Sequence, residues 1–183
     1  MRNKITDFKR FYFIGIGGIG MSAIARYFVS LGKNVAGYDK TPSQITDDLS
    51  DLGVQIHFDD VIKNIPISFL NTEKTLVIFT PAIPNNHSEL RYFKENNFNV
   101  LKRAQVLGMI SKNTFCLAVA GTHGKTTTTS MVTHVLIETG QSPSYIVGGA
   151  MANTGHNADV GQGEAFVIEA DEYDNMFHGL RPQ

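Results

Sequence analysis

The run FCLAVAGTHGKTTTT, residues 115–129, has the residue types and the order of a site for a phosphorylated ligand. Its apolar start (Phe115, Cys116, Leu117, Ala118, Val119, Ala120) suits a buried strand. Gly121 breaks that strand, and Gly124-Lys125-Thr126 opens a threonine-rich segment that reads as helix. Glycines let backbone N–H groups turn toward phosphate oxygens, and a helix N-terminus adds about half a positive charge on the same side. In such a loop Lys125 reaches the terminal phosphates of a nucleotide, and the Thr126 hydroxyl ligates the magnesium that accompanies them. Val119 stands where the longer form of this loop has a further glycine, so the spacing is that of a shorter variant, G-x-x-G-K-T. The candidate ATP-binding set is Gly121, Thr122, His123, Gly124, Lys125, Thr126 and Thr127. His123 either hydrogen-bonds a phosphate or the transferred phosphoryl group, or only shapes the loop.

A second glycine cluster lies a hundred residues earlier. Gly15, Gly17, Gly18 and Gly20 in GIGGIG form G-x-G-x-x-G between an expected strand and an expected helix. Such glycines allow a tight turn, close approach of backbone to a pyrophosphate and close packing of strand on helix. Asp39, about 20 residues on at the end of the next strand, stands where a dinucleotide fold puts an acid on a ribose hydroxyl. Alone this cluster reads as an NAD-dependent oxidoreductase. Hydride transfer has no use for a magnesium-nucleotide loop, however, so a diphosphate-containing substrate on the first cluster and ATP on the second fit the pair better.

A carboxylate at the tip of a strand downstream of a phosphate loop is placed to hold magnesium or its water shell. Glu169 after the apolar run 165–168 is the first candidate, and Asp171 the second. A solvated acidic strand end is the competing reading for Glu169, Asp171, Glu172 and Asp174. The expected metal ligands are therefore Thr126 and Glu169. His57, His87, His134, His156 and His178 have no zinc-like spacing.

The elements that must position these residues alternate between short apolar runs and amphipathic segments, the pattern of a parallel α/β sheet flanked by helices. Residues 11–14, 34–38, 75–80 and 98–101 read as strands, 54–58 as a further short one, and 21–31, 45–52 and 88–96 as helices. Pro81 and Pro84 forbid helix in TPAIP (80–84), which puts a rigid loop at the carboxyl edge of the sheet, where such sheets bind ligands. Residues 104–111 read as a short helix, and Lys112-Asn113 as a break that divides a first domain, 1–113, from a second, 114–183. In the second, a helix from Thr127 to about Thr139, a strand at 145–147, a Gly/Asn-rich loop at 148–157 and the last strand follow one another.

The chain has 183 residues, 42% of them hydrophobic, enough for one large or two small cores. A net charge of -1 offers no electrostatic footprint for nucleic acid or an anionic membrane. The single cysteine, Cys116, sits in an apolar run and reads as a small buried hydrophobe, consistent with a reducing, cytoplasmic setting. No stretch reads as a signal peptide or a membrane span.

Taken in order, GIGGIGMSAIA (15–25), TPAIP (80–84), AVAGTHGKTTTTSMV (118–132) and EADEYD (169–174) resemble the Mur ligases across essentially the whole chain. The resemblance implies a Rossmann-like domain that holds the UDP part of a sugar nucleotide, with Gly15, Gly17, Gly18 and Gly20 around its diphosphate. It also implies the opening part of a central ATPase domain, with Lys125 and His123 as catalytic candidates and Thr126 and Glu169 near magnesium. The implied reaction is ATP-dependent joining of L-alanine to the carboxylate of UDP-N-acetylmuramate through an acyl phosphate, in peptidoglycan precursor synthesis. A relative that reattaches a recycled tripeptide shares these motifs, and a non-catalytic UDP-sugar-binding module is a further alternative. The family continues beyond the position matching Gln183, so a chain of this length is expected to bind sugar nucleotide and to be inactive alone, lacking the amino-acid site.

Overall fold

The computed structural model describes residues 5–112 and 114–170. The chain divides into two compact units, Met1–Arg103 and Ala104–Gln183. The helix Arg103–Ser111 falls in the second unit, apart from its first residue.

In the first unit β1 (Arg10–Ile14), α1 (Ile19–Ser30), β2 (Asn34–Tyr38), α2 (Gln44–Asp51), β3 (Gln55–His57), β4 (Thr75–Phe79), α3 (Ser88–Glu95) and β5 (Asn99–Lys102) follow one another. The five strands form one sheet in the order β3-β2-β1-β4-β5, every pair parallel. Central strands of such a sheet are covered on both faces, which is why β1 after Arg10 is wholly aromatic or aliphatic. Successive side chains alternate in direction. Phe11 and Phe13 meet Phe28 of α1, with ring centroids 3.7 and 6.5 Å away. Tyr12 and Ile14 join the opposite cluster with Val77, Leu90, Phe93 and Phe98.

The helix ends are written locally. α1 stops at Gly32, whose positive φ of 68° sets up the bonds Gly32 N–H to Val29 O and Lys33 N–H to Phe28 O. α2 starts with a reciprocal capping box between Ser43 and Thr46. Because β1, β2 and β4 end side by side, the 15–18, 39–43 and 80–87 segments gather at the carboxyl edge of the sheet.

The second unit contains α4 (Arg103–Ser111), apart from its first residue, then β6 (Phe115–Val119), α5 (Lys125–Glu138), β7 (Ser144–Ile146), β8 (Ala158–Asp159) and β9 (Ala165–Glu169). Its sheet order is β6-β9-β7-β8, parallel except for the β7–β8 pair. β8, two residues long, carries no periodic signal that could have announced it. α5 begins at Lys125, earlier than the threonine run suggests, because Gly124 with φ 76° ends the loop immediately before it. Within α5, Thr129 and Thr133 are buried, and each donates its hydroxyl to the carbonyl four residues back. Cys116 is buried, and burial pushes its thiol up to about 11, so it packs as a hydrophobe. Among the described residues no helix is long and apolar enough to cross a membrane.

Candidate functional site

A cleft of about 740 Å³ opens at the carboxyl edge of the first sheet, a size suited to a small ligand. The glycine loop (Gly15, Gly17, Gly18), Asp39 and the proline loop (Thr80, Ala82, Ile83, Pro84) line it. Gly20 is not brought there. It lies in the first turn of α1, and a Cβ on it would collide with the Arg103 guanidinium, so its small size serves packing. Gly15, with φ 87°, has the left-handed backbone that disfavours any side chain.

The loop's N–H groups are largely engaged within the protein. Gly15 and Ile16 donate to the Tyr38 carbonyl at 2.8 and 3.0 Å, and Gly18 donates to Gly15 O at a long 3.4 Å. Gly17 donates to Asp39 Oδ2 at 2.7 Å, while Thr41 donates to Asp39 Oδ1 at 3.2 Å. Asp39 thus braces the loop with both carboxylate oxygens, a use the ribose reading of its position did not include. What remains for an anion at this turn is mainly the field of the α1 N-terminus.

Sequence spacing missed a polar group beside this cleft. Asp60 caps α3 by accepting from Ser88 N (2.9 Å) and Glu89 N (3.2 Å), and His87 Nδ1 lies 3.2 Å from the same carboxylate. Burial alone pushes the Asp60 carboxyl up, but those two amides and His87 together bring it below the usual range. Deeper, the Tyr12 hydroxyl donates to Glu89 Oε2 at 2.8 Å and also lies 2.8 Å from His57 Nε2, which is 3.1 Å from Glu89 Oε1. One hydroxyl proton cannot fill both contacts, so a second proton must come from Glu89 or His57. Glu89 is wholly buried, and that burial pushes its carboxyl up to about 8, against the Tyr12 hydrogen bond. Burial lowers His57, against the nearby Asp59 and Asp60. The neutral ring keeps one proton, and His57 Nδ1 lies 3.0 Å from the Asp59 carbonyl, which can only accept, so that proton is on Nδ1 and the second proton of the group falls to Glu89. The signal that could have found it is the set of polar residues at the ends of apolar segments; their separation of up to 77 positions hides it.

In the second unit the candidate phosphate loop lies between a strand and a helix. Gly121 and Gly124 have φ of 150° and 76°, and α5 starts directly behind them. Lys125 Nζ folds back onto Gly121 O at 2.8 Å, so the ammonium is held over the loop it would serve. Thr122, His123, Thr126 and Thr127 are exposed there. Glu169 is paired with Val119 in the β6–β9 register, at the entrance to the loop, and its Oε1 accepts from Gly148 N at 2.8 Å. A Cβ on Gly148 would lie 2.6 Å from Glu169 Oε2, and one on Gly149 would lie 3.6 Å from Thr126 Cγ2. Thr126 and Glu169 therefore flank the same Gly-Gly backbone. Each carries a hard oxygen donor of the kind magnesium takes when water and phosphate complete its shell. Asp171, Glu172 and Asp174 lie outside the described residues. Among the described residues no group of three or more His, Cys, Asp or Glu could hold a metal by itself.

The model of the Mur ligase family, catalytic domain, matches residues 10–114. The chain is 56% identical over 180 residues to a UDP-N-acetylmuramate--L-alanine ligase of Flavobacterium psychrophilum and 52% identical to that of Flavobacterium johnsoniae. Each alignment covers 98% of this chain and 40% of the relative. Among solved structures, the UDP-N-acetylmuramate-alanine ligase of Thermotoga maritima superposes with a TM-score of 0.85 at 34% identity, over 94% of this chain and 39% of that one. The UDP-N-acetylmuramate:L-alanyl-gamma-D-glutamyl-meso-diaminopimelate ligase of Neisseria meningitides gives 0.86 at 27% identity, over 96% and 58%. The chain thus spans about 40% of the length of the curated relatives it matches.

Proposed function

The chain belongs to the Mur ligase family, and from that premise we propose that the whole protein joins L-alanine to UDP-N-acetylmuramate at the expense of ATP, in the cytoplasm, during peptidoglycan precursor synthesis. The observation that carries this reading is the presence in one chain of two different glycine sites. One is a sheet-edge cleft sized for a nucleotide-linked ligand, and the other is a lysine-bearing phosphate loop at the start of a helix.

In this reading Gly15, Gly17 and Gly18 let the diphosphate of the sugar nucleotide approach the backbone at the α1 N-terminus, with Asp39 fixing the loop's shape. Gly121, Thr122, Gly124 and Thr127 surround the ATP phosphates. Lys125 exchanges the Gly121 carbonyl for the terminal phosphate and stabilises charge on the phosphoryl group as it passes to the muramoyl carboxylate. The resulting acyl phosphate is attacked by the amine of L-alanine, and loss of phosphate leaves the amide. His123, exposed beside Gly124, hydrogen-bonds the moving phosphoryl oxygens. Thr126 and Glu169 hold magnesium, which supplies positive charge to the phosphate oxygens.

Nearly equal TM-scores to an alanine ligase and a tripeptide ligase do not separate the two acceptors. The identity does lean one way, at 34% against 27%, and the most similar curated relatives reported above carry the alanine-adding name. The test is a steady-state phosphate-release assay on protein spanning the full length of these relatives, with UDP-N-acetylmuramate, ATP and either L-alanine or the tripeptide. Turnover with L-alanine is expected. Turnover with the tripeptide alone would transfer the assignment to the recycling reaction, and binding of NADH in place of the UDP-sugar would remove it from the ligases' chemistry.

A further inference from the structure

A second cavity, of about 330 Å³, opens at the amino edge of the first sheet, the end opposite the cleft. Arg10, Asn34 and Gln55, the first residues of β1, β2 and β3, line it with Lys33, and the buried Val54 and Phe69 give it an apolar wall. Parallel strands start on one edge, so the fold itself gathers these residues; Arg10 stands directly opposite Asn34 in the β1–β2 register. Both cations are half-buried. Lys33 donates to Phe8 O at 3.1 Å, which holds its ammonium in place, while Arg10 has no ion pair or side-chain hydrogen bond among the described residues. No carboxylate lines the cavity. The cleft at the other edge is the reverse, with Asp39 and Asp60 set against one lysine, Lys40. Because the chain carries 17 acidic residues and 16 lysines and arginines, the missing counter-charge is a matter of placement and not of composition.

Two like charges in one concavity repel, and more strongly as water is displaced from around them. An anion removes that cost. A guanidinium takes two oxygens of a phosphate or carboxylate in its planar fork, and a lysine beside it adds a point charge. Two positive charges match a phosphate monoester, close to doubly charged at neutral pH, better than a single carboxylate. The side-chain amides of Asn34 and Gln55 add donors, and the Val54–Phe69 wall offers cover to an apolar substituent. We infer that the amino edge of the first sheet binds a small phosphate monoester bearing an apolar group, held by Arg10 and Lys33. β1 and β2 run from this cavity to the glycine loop and Asp39, roughly 16 Å of strand, so the site is separate from the cleft and does not depend on what the cleft holds.

The experiment is a nitrogen–proton correlation NMR titration of the 183-residue chain with phenyl phosphate, with inorganic phosphate and, at matched ionic strength, with sodium chloride. The spectrum distinguishes this cavity from the glycine loop at 15–18 and the phosphate loop at 121–127. Saturable shifts are expected at Arg10 Nε–H and at the side-chain amides of Asn34 and Gln55, at lower concentrations of phenyl phosphate than of inorganic phosphate, and none with chloride. Arg10→Gln and Lys33→Gln, each verified as folded by circular dichroism, should weaken phenyl phosphate at the Asn34 and Gln55 amides by about tenfold, the scale of a lost hydrogen bond to a charged group. Both should leave any shifts in the phosphate loop unchanged. Shifts at Arg10, Asn34 and Gln55 that do not saturate, or that chloride reproduces, would overturn the inference, as would wild-type affinity in both folded variants. Equal affinity for the two phosphates would overturn the apolar substituent. The wild-type titration needs no variant, so it decides the matter even where a substitution fails to fold.

Discussion

The carboxylate of Asp39 accepts the Gly17 N–H at 2.7 Å, across the loop joining β1 to α1. A Cβ on Gly17 would stand 2.9 Å from that carboxylate oxygen and 3.1 Å from Thr46 Cγ2. The small residue at this place therefore makes room for the acid that shapes the loop, as well as for any ligand above it.

Replacing Gly17 with valine should push Asp39 away and break its bond to the loop amide. The backbone at Gly17 is not left-handed, so the chain should still fold. UDP affinity should fall by roughly tenfold or more, the scale of a lost charge-assisted hydrogen bond. Calorimetry showing wild-type affinity in a folded Gly17→Val protein would exclude the loop from the binding site.

Glu89 predicts a pH dependence of stability whose sign follows from its raised pKa. Folding moves the carboxyl from its ordinary 4.5 to about 8, so the folded state holds this proton more tightly than the unfolded chain. Its contribution is full below about 4.5 and is lost as pH rises toward 8. His57 and His87 are lowered, so their opposite slopes lie below their ordinary 6.5. Between pH 6.5 and 8 the Glu89 slope stands clear of both. Urea midpoints followed by circular dichroism should fall over that range in the wild type and stay flat in Glu89→Gln, which removes the titration with little change of shape. An equal decline in both proteins would show that the buried carboxyl is not its source.

In the second unit, charge at the phosphate and charge through the metal should separate in a magnesium titration. On full-length protein, Lys125→Ala should lose roughly hundredfold or more in turnover at every magnesium concentration, because added metal does not replace a cation fixed at the terminal phosphate. Thr126→Val and Glu169→Gln should be partly rescued by high magnesium. The glutamine keeps an oxygen for the Gly148 amide, so what it loses is the charge. Gly148→Ala should behave like Glu169→Gln, since its methyl would sit 2.6 Å from Glu169 Oε2 and displace the carboxylate. Wild-type turnover of Glu169→Gln at limiting magnesium would point away from Glu169 and toward Asp171 as the metal's carboxylate.

Most of the secondary structure was legible because it is local. The apolar run in β1 must be covered on both faces, Gly32 and Gly140 close α1 and α5 with left-handed backbone, and Gly124 followed by Lys125 can only open a helix from a tight turn. The two glycine loops were legible for the same reason, since each needs only contiguous residues of the right conformational freedom. Tertiary structure decided how those residues are spent. It turned Asp39 toward Gly17, sent Gly20 to pack against Arg103, and brought Tyr12, His57, Asp60, His87 and Glu89 together from the middle of β1, the end of β3, the loop after it and the start of α3. None of these contacts leaves a period or a spacing in the chain, because each depends on which strand lies beside which. That order, and the burial that neutralises Glu89 and leaves His87 Nε2 without a partner among the described residues, exists only once the sheet has formed.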